Sequence, residues 1–309
     1  MRLLQASRGL LALVLLALAA ACAQPTPTPT LPPSVSVTDS EGTVVVLQAP
    51  PRRIVSLGPS NTEVLYALGV SDRVVGVDDY SDYPQEAQAK PKVGSPFPSF
   101  NLEVILALQP DLVLSVPLAQ FNDRLRSAGL KVIVLDPHDL AEVLATIRLT
   151  GRAVGAEAQA QALAAAMEQR IAAVEQRVKD AVKTRVFYEV DATDPAKPYT
   201  AGPGSFVHSL VTLAGGRNIF EDAQSAYPQV GLEVVVARDP EVILLGDALV
   251  PYNPQTPEMV AARPGWGSIT AVKKGRVIPV NGDLTTRPGP RIVDGLELIA
   301  RTLHPELFR

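Results

Sequence analysis

Residues 102–114 read LEVILALQPDLVL, and residues 232–244 read LEVVVARDPEVIL. The two segments align without a gap, because residue 102 corresponds to residue 232 and every later pair keeps the same spacing. In each segment a short amphipathic helix opens with a glutamate and leads through Pro-Asp or Pro-Glu into an apolar run. That run is too short for a helix and indicates a buried strand. The repeat predicts two lobes with one α/β plan and a ligand between them.

The repeat also places a glutamate, Glu103 or Glu233, at the start of each predicted helix. A carboxylate in the first turn interacts favourably with the helix dipole, by about 0.3–1 kcal/mol, which would explain either residue alone. The recurrence of the whole register puts the two carboxylates at equivalent corners of the two lobes. Such a pair is suited to docking onto a two-fold symmetric partner that carries basic pockets.

The N-terminus has the layout of a secretory signal. Arg2 and Arg8 precede an apolar run from Leu10 to Ala21, which is too short to span a bilayer comfortably, so we expect residues 1–21 to be a signal peptide. Cys22, the lone cysteine, follows three alanines as in a bacterial lipobox, although Ala19 stands where leucine is usual. A single cysteine excludes an intramolecular disulfide and cysteine-rich zinc sites. The alternative is ordinary cleavage of the signal peptide, in which Cys22 has no role as a lipid attachment site.

Residues 22–50 are interpreted as a lipid-anchored Pro/Thr-rich spacer, followed by a short segment that leads into the N-terminal lobe. Lipid chains on Cys22 would anchor the protein stably, and the run QPTPTPTLPP at 24–33 favours an extended linker. The predicted protein is therefore extracytoplasmic and attached to the membrane through its lipid alone. The formal net charge of −4 becomes about −6 without Arg2 and Arg8, and no basic stripe offsets it, so nucleic acid is not an expected partner.

The rest of the chain divides into three parts. Strand and helix patterns alternate in residues 51–155, which predicts an N-terminal α/β lobe with mostly parallel strands. Within it, Ser60 and Glu63 have the spacing of a capping box at a helix start. Residues 156–183 are rich in helix formers and predict a linking helix, and residues 184–309 predict a C-terminal α/β lobe.

The segments RIVSLGPSNTE (53–63), YSDYP (80–84), NLE (101–103) and QPDLV (109–113) resemble the iron-siderophore/cobalamin periplasmic binding proteins. Further similarity lies in PYTAG (198–202), NIF (218–220), PQV (228–230) and PGW (264–266), and the chain is most similar to the vitamin B12-binding type. The resemblance implies a class III periplasmic binding protein fold, with two Rossmann-like lobes joined by a single long helix. It also implies delivery of a ligand to the permease dimer of an ABC importer, with Glu103 and Glu233 engaging arginine pockets there.

The resemblance further implies a set of ligand-binding residues. Tyr80, Tyr199 and Tyr227 match aromatic positions at the cleft, and Phe97 lies near another, for which Pro96 is a competing alignment. Asp283 and Arg287 match a polar pair at the edge of the ligand. The remaining matches, in the turn that faces the cleft, are Pro59 and Asn61.

The chemistry of these residues favours a corrinoid, whose broad apolar faces and neutral amide rim suit aromatic side chains and a few polar groups. A catecholate siderophore would favour converging arginines, and a haem would favour a Tyr or His ligand, for which His208 is a candidate. Haem and ferric siderophores remain the alternatives within the family, and a structural lipoprotein is the alternative outside transport. No HExxH, GxxxxGK or GxSxG motif supports an enzyme, so we expect neither catalysis, a metal site nor a resident cofactor.

Overall fold

The computed structural model describes residues 34–308. The predictions for the signal peptide, Cys22 and most of the proline spacer fall on residues 1–33, outside the described part of the chain. The first elements are the antiparallel strands β1 (Val35–Thr38) and β2 (Val44–Leu47). Asp39 closes their turn, because its carboxylate accepts hydrogen bonds from the N–H groups of Glu41 and Thr43. Within residues 34–308, no helix is long and apolar enough to cross a membrane.

The N-terminal lobe is built on a four-stranded parallel sheet with the order β4-β3-β5-β6. Its strands are almost wholly buried, as expected where helices cover both faces of a parallel sheet. The elements follow in the order β3 (Ile54–Ser56), α1 (Pro59–Ala67), β4 (Val74–Val77), α2 (Leu102–Ala107), β5 (Leu112–Ser115), α3 (Ala119–Ser127) and β6 (Val132–Val134).

The predicted capping box at the start of α1 is wrong. The helix begins after Gly58 with Pro59 in its first turn, and no side chain caps it. Glu63 is 3% exposed and forms a paired salt bridge with Arg291 from the other lobe, with nitrogen–oxygen distances of 2.9 and 2.5 Å. The guanidinium offsets the cost of burying the Glu63 charge, so this carboxylate serves the contact between the lobes and not the helix terminus.

The last helix of the N-terminal lobe leads directly into the long linking helix. Helix α4 (Leu140–Val154) is capped by Asp139 and ends at Gly155, whose φ is +70°. Helix α5 (Glu157–Val178) follows at once and is about 33 Å long at roughly 1.5 Å per residue. The two helices cross closely, since a Cβ on Gly151 would lie 2.2 Å from the Cβ of Ala160.

The C-terminal lobe has a five-stranded sheet, in which β7 pairs with β8, β9 and β10 and β10 pairs with β11. Only the β7–β8 pair is antiparallel. The elements follow in the order β7 (Thr184–Asp191), β8 (Tyr199–Thr200), α6 (Phe206–Leu213), β9 (Gly216–Asn218), α7 (Leu232–Arg238), β10 (Val242–Leu245), α8 (Pro257–Ala261), α9 (Thr270–Lys273), β11 (Val277–Pro279), α10 (Asp283–Thr286) and α11 (Ile292–Leu303).

Helix α5 contacts both lobes. It packs along α4, and its Arg170 bonds to Glu297 at 2.8 Å and to Asp294 at 2.6 Å, both on α11. Its buried residues include Met167, Val174 and Val178.

The two sequence repeats fold alike, as α2–β5 and α7–β10. Each helix ends near a residue with positive φ, +46° at Gln109 and +43° at Asp239, and these two positions correspond in the repeat. In both lobes the acidic residue after the proline accepts a hydrogen bond from the backbone of an arginine at the start of the neighbouring strand, just before β3 or within β7. Asp111 accepts from Arg53 at 2.9 Å, and Glu241 accepts from Arg185 at 3.0 Å. The internal repeat is therefore present in the structure as well as in the sequence.

Candidate ligand-binding site

A cavity of about 670 Å³ lies between the two lobes. The N-terminal lobe contributes Asp79, Tyr80 and Asp82 from the loop after β4. The C-terminal lobe contributes loops that follow β10 and β11, together with Tyr227 and Tyr188. Loops at the carboxyl ends of parallel strands meet at one edge of a sheet, which explains why residues distant in sequence converge here.

The loop that carries Tyr80 is held by a buried acid. Asp78 is 1% exposed, accepts a hydrogen bond from the Tyr80 N–H at 3.1 Å and bonds to the Ser81 hydroxyl. Burial raises the pKa of Asp78. The Ser81 hydroxyl also bonds to Thr62 on α1 at 2.7 Å. These contacts fix the turn and leave the Tyr80 side chain half exposed toward the cavity.

The floor of the cavity contains a buried phenol. Tyr188 on β7 is 2% exposed and its hydroxyl lies 2.6 Å from the Thr285 hydroxyl. Gly246 lies directly against this ring, because a Cβ there would come within 2.3 Å of the phenolic oxygen. Burial raises the pKa of Tyr188, so the phenol stays neutral at physiological pH.

One guanidinium crosses the cleft. Arg287 bonds to Asp82 of the N-terminal lobe at 2.6 Å and to Asp283 of its own lobe at 3.0 Å. Its third carboxylate neighbour is Glu63, at 3.7 Å. Among the described residues that line the cavity, the carboxylates are Asp79, Asp82 and Asp283, and Arg287 is the one cationic side chain. Its charge is already compensated by these neighbours.

The lobes also touch beside the cavity. Arg291 lies 3.8 Å from the centre of the Tyr83 ring while it pairs with Glu63. Gly289 lies against Ser60, since a Cβ on Gly289 would be 3.4 Å from the Ser60 Cα. These contacts join α1 and the loop after β4 to the segment that leads into α11.

The structure brings together four of the eight residues predicted to bind ligand, namely Tyr80, Tyr227, Asp283 and Arg287. The other four are not among the residues that line the cavity. Pro59 starts α1, and Asn61 is 4% exposed with its amide donating to the Ser115 carbonyl at 3.1 Å. Phe97 is 80% exposed, and Tyr199 is 43% exposed on β8 beside Gln229.

His208 lies away from this cavity. It faces a separate groove with Leu140 and Thr212, and its Nδ1 is 3.2 Å from the Asn218 amide. Among residues 34–308, no cluster of three or more His, Cys, Asp or Glu side chains is arranged to hold a metal ion.

Sequence reasoning missed the segment Leu249–Tyr252, which forms one wall of the cavity. A signal was present, because LVPY follows the predicted strand Val242–Leu245 and therefore belongs to the edge where ligands bind in parallel sheets. Asn281 and Thr286 also line the cavity, and they lie beside the predicted ligand-binding residues Asp283 and Arg287.

The docking candidates lie outside the cleft. Glu103 and Glu233 are both exposed, in the first turns of α2 and α7. Within residues 34–308 neither carboxylate has a salt-bridge partner within 4 Å. Exposed apolar side chains, Leu106 and Val234, lie on the same two helices. The two lobes thus present similar acidic and apolar surfaces.

Comparison with known proteins identifies the family. The model of the family described as periplasmic binding protein matches residues 54–284. A Bacillus subtilis protein described as an uncharacterized ABC transporter substrate-binding lipoprotein, YvrC, is 34% identical over 89% of this chain and 87% of its own length. A cobalamin-binding protein of Halobacterium salinarum is 34% identical over 87% of this chain and 74% of its own.

Solved structures share the fold. The vitamin B12 binding protein of Vibrio cholerae has a TM-score of 0.71 and 28% identity, over 84% of this chain and 99% of that one. The heme-binding protein RhuT of Roseiflexus has a TM-score of 0.74 and 28% identity, over 83% of this chain and 99% of that one. The expected class III fold is confirmed by these neighbours. This chain therefore belongs to the periplasmic binding protein family and is the substrate-binding protein of an ABC transporter, not an enzyme.

Proposed function

We propose that the protein binds cobalamin or a related corrinoid in the cleft and delivers it to the permease dimer of an ABC importer. The observation that carries this proposal is the charge of the cavity. Among residues 34–308, three carboxylates line it and one guanidinium does, that of Arg287, which already pairs with Asp82 and Asp283. A neutral, amide-rimmed ligand suits this environment better than an anion.

Two of the competing ligands, haem and ferric catecholates, are anionic. A haem carries two propionates, and a ferric catecholate carries several negative charges, so either would need unpaired basic side chains. Their entry would place like charges beside Asp79, Asp82 and Asp283. A corrinoid instead offers neutral amides as hydrogen-bond partners for these carboxylates.

The apolar surfaces of the cavity support the same ligand. Tyr80, Tyr227 and Tyr252 are each partly exposed and line the cavity from both lobes. Aromatic faces and edges contact a wide macrocycle favourably. The cobalt would need no protein ligand, and the corrinoid is cargo rather than a resident cofactor. The family resemblance is the only support for ligand binding by four predicted residues, Pro59, Asn61, Phe97 and Tyr199.

Haem is the second candidate because a tyrosine can ligate haem iron and a relative of this fold is described as heme-binding. Ligation is favoured by the phenolate form. Burial raises the pKa of Tyr227, which opposes formation of that phenolate in the unliganded protein. This effect adds to the charge argument against haem.

Calorimetry of the purified protein with cyanocobalamin, haem and a ferric catecholate tests the proposal. We expect saturable binding of one cyanocobalamin per chain and weaker or absent binding of the two anionic ligands. An absorption titration with haem is the companion measurement, since ligation by a tyrosine would shift the Soret band. Tight haem or siderophore binding with no heat from cyanocobalamin would overturn the proposal.

Two further parts of the proposal concern the membrane. Glu103 and Glu233, with their equivalent positions and exposure, are proposed to dock onto basic pockets of the two permease subunits. Cys22 is proposed to carry lipid, which would hold the protein at the outer face of the membrane or in the periplasm. The relative YvrC is described as a lipoprotein, which supports this proposal. A mass increase of lipid size at Cys22, absent from Cys22→Ser, would support the anchor.

A further inference from the structure

The segment between β10 and α8 exposes apolar side chains at the cleft. Leu249 and Tyr252 are each 65% exposed, and both line the cavity together with Val250 and Pro251. An exposed cluster of large apolar side chains on a soluble domain marks a surface that another molecule covers. Here the surface forms part of a cavity that already contains Tyr80 and Tyr227.

The buried Asp247 and the exposed Asn253 hold the residues on either side of the apolar tip. Asp247 is 2% exposed, and its carboxylate accepts a hydrogen bond from the Ala192 N–H at 3.0 Å. The Asn253 amide reaches the carbonyl of the same Ala192 at 3.4 Å. The residues just outside the apolar tip are thus tied to the loop after β7.

The chain that leaves the tip is fixed by buried side chains. Gln255 is 3% exposed and accepts a hydrogen bond from Arg263 at 2.9 Å. Arg263 is 6% exposed and pairs with Glu189, which is fully buried on β7. The Arg263 guanidinium also lies 4.8 Å from the centre of the Trp266 ring. Buried charge pairs of this kind need close mutual positioning, so they define the path of the chain that leaves the tip.

The tip itself is uncharged. Residues 248–254 read ALVPYNP, with a single phenol and a single amide as polar side chains. Proline at 251 and 254 restricts the backbone further. A loop that is anchored at both ends and restricted between them is preorganised to meet a ligand at a low entropic cost.

We propose that Leu249–Tyr252 is a ligand-contacting wall, which covers an uncharged face of the bound molecule opposite the Tyr80 loop. This inference rests on the proposed function, because it assigns the wall to a corrinoid. It adds Leu249 and Tyr252 to the residues that determine affinity, and these two come from a segment that the family resemblance did not supply.

The test is calorimetry with cyanocobalamin on Leu249→Ala, Tyr252→Ala and the double variant. The double variant should bind roughly 10- to 100-fold more weakly, because two apolar contacts are lost, and each single variant should lie between it and wild type. The control is the double variant Val182→Ala with Met259→Ala. Both control residues are exposed, at 89% and 47%, and neither lines the cavity, so their removal should leave affinity unchanged.

Thermal melting separates contact from folding. All four side chains are exposed, so both double variants should melt as wild type does. If wild type binds cyanocobalamin and the Leu249→Ala/Tyr252→Ala variant binds within twofold of it, the wall is not a contact surface while the proposed function stands. Absence of binding by wild type would instead overturn the proposed function, and the corrinoid wall with it.

Discussion

Asp247 lies behind the apolar wall with one carboxylate oxygen bonded to Ala192 and the other without a hydrogen-bond partner among residues 34–308. Burial and the nearby charge of Glu189 raise its pKa from 3.8 to about 7. The folded protein therefore keeps a proton that the unfolded chain releases near pH 4. The stability that this proton contributes is complete below pH 4 and is lost as the pH rises through 7.

The corresponding prediction concerns Asp247→Asn, which keeps the acceptor for Ala192 and removes the titration. At pH 8 we expect the variant to be more stable than wild type, by on the order of 2 kcal/mol after allowance for solvent near the cleft. At pH 5 the difference should largely disappear. Urea unfolding at the two pH values measures this difference in the free energy of unfolding. The variant Asp180→Asn, at an exposed position, serves as the control. An equal effect at both pH values would contradict the raised pKa.

At the scale of elements, the crossing of α4 and α5 sets the direction in which the linking helix leaves the N-terminal lobe. The crossing depends on Gly151, where a Cβ would lie 2.2 Å from the Cβ of Ala160 and 3.1 Å from the Ala156 carbonyl oxygen. Neither neighbour has a flexible side chain that could move aside. The two helices can keep this separation only while residue 151 lacks a side chain.

Gly151→Ala should therefore destabilise the protein, although alanine is favoured over glycine within a helix by about 1 kcal/mol. Overpacking of this kind costs about 1–3 kcal/mol, so after the helix gain we expect a net loss of up to about 2 kcal/mol in the free energy of unfolding. Gly267→Ala is the matched control, since a Cβ there meets no atom within 4 Å. Chemical denaturation of both variants is the measurement. A more stable Gly151→Ala variant would mean that the helices can separate without cost.

At the scale of the whole molecule, the two lobes present Glu103 and Glu233 on equivalent short helices, outside the cavity that lies between them. Docking and ligand binding should therefore be separable. The variant Glu103→Arg with Glu233→Arg should keep cyanocobalamin affinity within a few fold of wild type. It should abolish uptake by cells, because arginines would face like charges in the basic pockets proposed for the permease.

The control for this variant is Glu157→Arg with Glu175→Arg, two exposed positions on α5 that produce the same change in net charge. Uptake should survive in the control. Uptake that fails equally in both variants would show a general effect of charge, and loss of ligand affinity in the docking variant would place these glutamates at the ligand.

Several features of this protein follow from the sequence alone, because they depend on local physics. The spacing of apolar residues and the caps at Asn101, Asp139 and Ser205 determine helices, and short buried runs such as Leu112–Ser115 determine strands. The internal repeat then determines two lobes of one plan. The family was predicted from the resemblance of segments such as residues 53–63, and the family match over residues 54–284 confirms it.

Only the tertiary structure decided which side chains meet across the lobes. Glu63 has the sequence spacing of a helix cap, yet it pairs with Arg291, 228 residues away. Arg287 reaches Asp82 over 205 residues, and Leu249–Tyr252 becomes a wall of the cleft only because Asp247 and Gln255 are held by Ala192 and Arg263. Such contacts depend on the relative placement of whole lobes, which no local pattern of residues records.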